Sequence, residues 1–217
     1  MYICYVLLDF EATCNKDHQI SMQEIIQVPS VMVCGSTMSV LSTFNEYVRP
    51  VHNPTLTPFC SSLTGIQQST VDAADTFVGV FKRWHKWLFS CKPKDALLVF
   101  VTWGNWDLMY MLHVQCAISS ITVPTFLHRW FNYKAFVNYT FGIHPKQSLL
   151  TILESYGIEF VGSPHNGMDD CMSMLKLMQV LNKTVRLEYT DISFTRYSTK
   201  GHLKWKSILK NWLIANV

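Results

Sequence analysis

Asp9 and Glu11 directly follow the apolar run Ile3–Leu8. Side chains alternate across a strand, so residues two apart point to the same face. Two adjacent carboxylates repel one another and lose hydration unless a positive charge sits between them. A hard divalent cation that takes oxygen ligands would meet that need. Alternatively the strand ends at Leu8 and both acids are solvated in a loop, since a D-x-E pair is common by chance.

Asp107 follows a second apolar run, Ala96–Val101, across the loop Thr102-Trp103-Gly104-Asn105-Trp106. It is either a further ligand or an acid that favours a helix N-terminus through the dipole. His165 and Asp170 are five residues apart on a Gly/Pro-punctuated loop and the first turn of the next helix. Asp170 shares a stripe with Met174, Leu177 and Leu181, which turns it toward the interior, where a lone acid requires a partner. Asp169, its neighbour, faces away and reads as a helix-capping acid.

The elements that must carry these residues are legible from period and punctuation. Ile3–Leu8 reads as a central strand covered on both faces. Glu24–Cys34, a turn at Gly35–Thr37 and Met38–Val48 make a meander beside it. Residues 49–58 hold three prolines and form an extended loop. Thr57 caps a short helix that starts at Pro58 and stops at Gly65. Phe77, Val80, Phe81, Trp84, Trp87 and Leu88 recur at helical spacing. Ala96–Val101 is a buried strand, and Trp106–Cys116, Gln147–Tyr156 and Met168–Leu181 are helices. Strands first and alternating elements afterwards imply an α/β fold with a mixed sheet.

At 217 residues, with 49% hydrophobic and 15% charged residues, the chain can bury a full core and is not disordered. Its seven cysteines form no C-x-x-C pair and sit mostly in apolar runs, which argues against a disulfide framework or a structural zinc site. A reducing compartment, cytosol or nucleus, is expected. No apolar stretch approaches the ~20 residues of a membrane span. The net charge of +3 is uneven: residues 186–217 hold six Lys/Arg against two acids, whereas residues 1–185 hold 12 against 13. Residues 1–185 therefore read as the main domain, and 186–217 as a basic, aromatic C-terminal extension docked on it. The extension's Trp205, Ile208, Leu209, Trp212 and Leu213 lie at helical spacing. They suit a helix packed on the core, a nucleic-acid contact, a membrane-surface contact or a protein partner.

The motifs Asp9-Phe10-Glu11-Ala12-Thr13, Gly104-Asn105-Trp106-Asp107 and His165-Asn166-Gly167-Met168-Asp169-Asp170 resemble, in order, the three motifs of DEDDh 3′→5′ exonucleases. The branch that trims histone mRNA, ribosomal RNA and small RNA 3′ ends is the most similar. Leu56–Cys60, Leu63–Ile66 and Gln23–Ile26 share that likeness, which covers roughly residues 2–182. The resemblance implies a ribonuclease-H-like fold with a five-stranded mixed sheet flanked by helices. It implies Asp9, Glu11, Asp107 and Asp170 as ligands of two Mg²⁺ ions, with Mn²⁺ as a substitute, and His165 as the catalytic base. Phe59, Leu63, Thr64 and Trp106 match positions that hold the terminal nucleotide, and the backbone at Ala12 matches the ribose contact. Phe59, Leu63 and Trp106 are alternatively ordinary core. Gln27 stands where relatives often carry a second Glu, and no catalytic effect is expected of it.

The implied activity is release of nucleoside 5′-monophosphates from single-stranded RNA 3′ ends, with DNA as a further substrate. The alternative is a catalytically silent module that binds such ends.

Overall fold

In the computed structural model, residues 2–17, 20 and 22–185 and the backbone of 194–196 are described. Strand β1 (Ile3–Leu8) lies in the middle of the sheet because both its rows of side chains find cover. Cys4, Val6 and Leu8 join one core, and Tyr5 and Leu7 join the other. On one edge β1 pairs antiparallel with β3 (Ile25–Cys34), from Cys4↔Cys34 to Leu8↔Ser30. On the other it pairs parallel with β5 (Leu97–Thr102), from Ile3↔Leu97 to Leu7↔Val101. β4 (Val40–Tyr47) covers the outer edge of β3. β6 (Arg129–Asn132) extends the sheet parallel to β5, and β7 (Phe194–Arg196) pairs antiparallel with β6.

The sheet has seven strands where five were expected. The two additions are short. β2 (Glu11–Ala12) is a resumption of β1: Glu11↔Gln27 keeps the register of Leu8↔Ser30, so the strand is interrupted only at Asp9 and Phe10. β7 lies within the segment read as the C-terminal extension, and the helix expected over 200–217 falls outside the described residues.

Helix α1 (Pro58–Thr64) starts as its sequence dictates, with the Thr57 hydroxyl accepting from the Cys60 N–H and Gly65 closing it at φ 73°. α2 (Gln68–Asp72) follows it. α3 (Phe77–Cys91) buries Phe77, Phe81 and Trp84 on one face of the sheet, and the Trp84 indole donates to Ser30 Oγ at 2.8 Å. α4 (Leu112–Ile118) continues a π-helical turn over Trp106–Met111. α5 (Tyr133–Phe141), α6 (Leu149–Ser155) and α7 (Gly167–Thr184) cover the opposite face, where α7 lies against β1 and β3. No helix among the described residues is long and apolar enough to cross a membrane.

Candidate active site

The break in β1 creates the site. Asp9 and Glu11 continue the Tyr5–Leu7 row, on the face that α7 covers. Between them the Phe10 N–H donates to Asp107 Oδ1 at 2.8 Å instead of to a neighbouring strand. Asp107 is itself buried, in the first turn of the π-helical segment. Such turns are rare and recur at functional sites. The loop that delivers it is pinned: Asn105 Oδ1 accepts from Trp130 Nε1 at 3.1 Å and from Asn132 Nδ2 at 2.8 Å.

Asp170 arrives from the far end of the chain. Asn166 caps α7, and Gly167 is where that helix touches the broken strand. A Cβ on Gly167 would lie 2.7 Å from Pro29 Cγ and would overlap the Asp9 carbonyl oxygen. Only glycine permits this approach, and one turn further Asp170 meets the strand acids. Carboxylate oxygens of Asp9, Glu11 and Asp170 all lie within 4.8 Å of one another. Asp170 Oδ2 is buried without a hydrogen-bond partner.

The electrostatics follow from that crowding. Burial holds Asp9 well above the ordinary carboxylate range, and Asp107, Asp170 and Glu11 add to the effect. Glu11 is pushed up to about 9 by burial and then by Asp170 and Asp107. Burial raises Asp107 to about 6 although the Phe10 N–H works against it, and raises Asp170 to about 7 against a backbone bond from His165. Without a cation the cluster must take up protons. An all-oxygen donor set with an orphaned, buried carboxylate oxygen fits a hard divalent ion.

His165 is exposed at φ 65°, two residues before α7. It lines, with Asp9 and Asp170, a pocket of about 360 Å³. Phe59 and Leu63 are half-buried on α1, which is tied beside β2 by bonds from the Cys60 thiol to the Ala12 carbonyl and from the Thr57 hydroxyl to the Cys14 carbonyl. The Thr64 hydroxyl donates to the Cys60 carbonyl and accepts from the Ile66 N–H, so it also closes α1. Trp106 is 41% exposed and stacks on Tyr110 with ring centroids 6.1 Å apart. None of these four residues lines the 360 Å³ pocket. Asp169 turns away, as expected, but accepts from the Ser163 N–H at 3.0 Å and so fixes the loop before His165.

Two supporting residues were named in the sequence only through the family likeness, without the contacts they make. Buried Gln27 donates to Asn45 Oδ1 at 3.0 Å and accepts from the Gly167 N–H at 3.3 Å, which joins β3 to the start of α7. Buried Glu24 accepts from the N–H groups of Val51, His52 and Asn53 at 2.7–2.8 Å and folds the proline-rich loop toward α1.

A mixed sheet that presents clustered carboxylates at a strand break and a helix start defines a nuclease of the ribonuclease-H-like class. Residues 6–178 match the profile of the family described as Exonuclease (RNase_T), and the chain belongs to that family, in its DEDDh group. ERI1 exoribonuclease 3 of Homo sapiens is 40% identical over 186 residues, which is 83% of this chain and 54% of that protein. The chain thus spans about half the length of the curated relatives it matches. The nuclease domain of 3′hExo, a DEDDh family member bound to rAMP, superposes with a TM-score of 0.83 at 30% identity, covering 91% of this chain and 98% of that one. A structure of a 3′-exonuclease in 3′-end-specific recognition of histone mRNA stem-loop gives 0.81 at 29% identity, covering 92% of each chain.

Proposed function

We propose that the chain is a metal-dependent 3′→5′ exoribonuclease that releases nucleoside 5′-monophosphates from single-stranded 3′ ends. The observation that carries this reading is the convergence of Asp9, Glu11 and Asp170 within 4.8 Å, beside buried Asp107. Relatives named as exoribonucleases support RNA as the substrate.

In this reading Asp9, Glu11, Asp107 and Asp170 hold Mg²⁺, for which Mn²⁺ substitutes. The bound ions supply an activated water and neutralise charge at the scissile phosphate. Asp170 contributes its unpartnered Oδ2, and Asp107 keeps one oxygen for the site while the other accepts from Phe10. His165, at the rim, takes the proton of the attacking water on an imidazole nitrogen. Phe59 and Trp106 stack against the terminal nucleotide and Leu63 packs beside it, with Thr64 behind them and the Ala12 backbone at the ribose. The seven free thiols suit a reducing compartment, cytosol or nucleus. A protein partner would be met through the extension beyond residue 185.

The test is a 3′-labelled single-stranded RNA digested with Mg²⁺, with EDTA and with the Asp9→Ala variant as controls, beside a DNA of the same sequence. Stepwise release of 5′-monophosphates that needs Mg²⁺ and Asp9 is expected. RNA binding with no release would favour the silent end-binding module instead.

A further inference from the structure

The pocket beside the carboxylates has walls that the terminal-nucleotide contacts do not use. Trp103, Lys134, Leu149, Leu150 and Phe160 form it, on the loop after β5, the first turn of α5, the start of α6 and the segment before α7. Asp9, His165 and Asp170 line it as well. The contacts read for the terminal nucleotide come from β2, α1 and the π-helical turn, and none of them lines this cavity. The carboxylates therefore adjoin two surfaces built from separate parts of the chain.

The cavity's chemistry is mixed in a particular way. Its apolar walls include half-buried Trp103 and Phe160 and buried Leu149. Its one lysine, Lys134, is half-buried and makes no ion pair among the described residues. A lysine held among apolar walls, at a site otherwise crowded with carboxylates, is complementary to a group that is both aromatic and anionic. At about 360 Å³ the space falls at the small end of the range for ligand pockets and suits a single base with its sugar, not a duplex.

We propose that this pocket is the subsite for the nucleotide immediately 5′ of the scissile bond: the base packs on Trp103 and Phe160, and Lys134 contacts the phosphate on that nucleotide's 5′ side. The assignment rests on the exonuclease reading and adds to it where the retained strand sits. Stacking on aromatic side chains is tolerant of base identity, and a lysine recognises phosphate as a point charge, so the subsite selects for an unpaired strand and not for a sequence.

The test compares two substrates on the full chain with Mg²⁺. One is 5′-phosphorylated uridylyl-uridine, which fills both subsites and carries the 5′ phosphate that Lys134 would meet. The other is the p-nitrophenyl ester of uridine 5′-monophosphate, which has the terminal nucleoside and the reacting phosphate but no upstream nucleotide. Lys134→Met is expected to lower kcat/KM on the dinucleotide about tenfold more than on the ester, mainly through KM. It should also flatten the plot of log kcat/KM against log salt by about 0.7, the slope of one phosphate contact on a single strand. Lys134→Arg should restore both. Phe160→Ala should raise KM for the dinucleotide while keeping the salt slope. Equal loss on both substrates overturns the subsite, because Lys134 would then act at the reacting phosphate. A wild-type chain that hydrolyses neither substrate overturns the exonuclease reading and the subsite with it.

Discussion

Replacing Asp170 with asparagine should stabilise the metal-free protein while abolishing its activity. The carboxyl sits in the crowded cluster with a pKa moved from an ordinary 3.8 to about 7. At pH 8 it is ionised in both folded and unfolded chains, so holding the charge in the fold costs about 4 kcal/mol at 1.36 kcal/mol per pKa unit. The pocket is open to water, so half of that, about 2 kcal/mol, is a fair figure. Asparagine forfeits the favourable interaction of an acid with the first turn of α7, about 0.3–1 kcal/mol. The net gain is about 1–2 kcal/mol, or roughly 3–6 °C in Tm for a domain of this size. The sign of the pH dependence follows from the raised pKa. The folded chain retains the proton more strongly, so the wild type loses stability as pH rises from about 4 through about 7, and the variant, which keeps only the other raised acids, loses less. Thermal unfolding in EDTA should show Asp170→Asn more stable than wild type at pH 8 and nearly equal at pH 5. Saturating Mg²⁺ should then raise the wild type more than the variant. A variant less stable than wild type in EDTA at pH 8 refutes the account of the cluster as electrostatically strained.

Three further outcomes are expected. Asp9→Ala and Asp107→Ala should abolish cleavage and leave the circular dichroism spectrum unchanged; nucleotide release at the wild-type rate by either purified variant would rule out the site. His165→Ala should lower kcat by about 10²–10⁴-fold, the range for a lost general base. Its Mg²⁺ affinity, measured by calorimetry, should stay within about twofold, and parallel losses would argue against the base role. Gly167→Ala should destabilise by about 1–3 kcal/mol in urea unfolding, since its methyl meets Pro29 and the Asp9 carbonyl, and should weaken Mg²⁺ binding as α7 is pushed off the strand. A change under about 0.5 kcal/mol would mean the close approach is not needed.

Elements with their own local signals were legible in the sequence. β1, the β3–β4 meander, α1 with its Thr57 cap and Gly65 stop, and α7 all carry period or punctuation within a short window. β6, α5 and α2 were not named, because four, nine and five residues give little periodicity and tertiary packing decides them. Trp106–Cys116 was read as one α-helix, but its first six residues form a π-helical turn that seats Asp107 against the Phe10 N–H. That distortion depends on a contact 97 residues away in sequence. Alternation along β1 was enough to put Asp9 and Glu11 on one side. Their meeting with Asp170 was not a local matter, since it depends on Gly167 fitting against Pro29 and on Gln27 receiving its N–H. The cavity around Lys134 left no trace in the sequence, as its walls come from four separate segments.

The contact of Gly167 with Asp9 also sets when a newly made chain can close its carboxylate cluster. Translation delivers Asp9, Glu11 and Asp107 first, and the fourth acid only with α7, more than 150 residues after the first. A ribosome-bound intermediate, or a fragment clipped before that helix, carries three acids and no closed cage for an ion. The carboxylate cluster is thereby completed only when the fold is nearly finished.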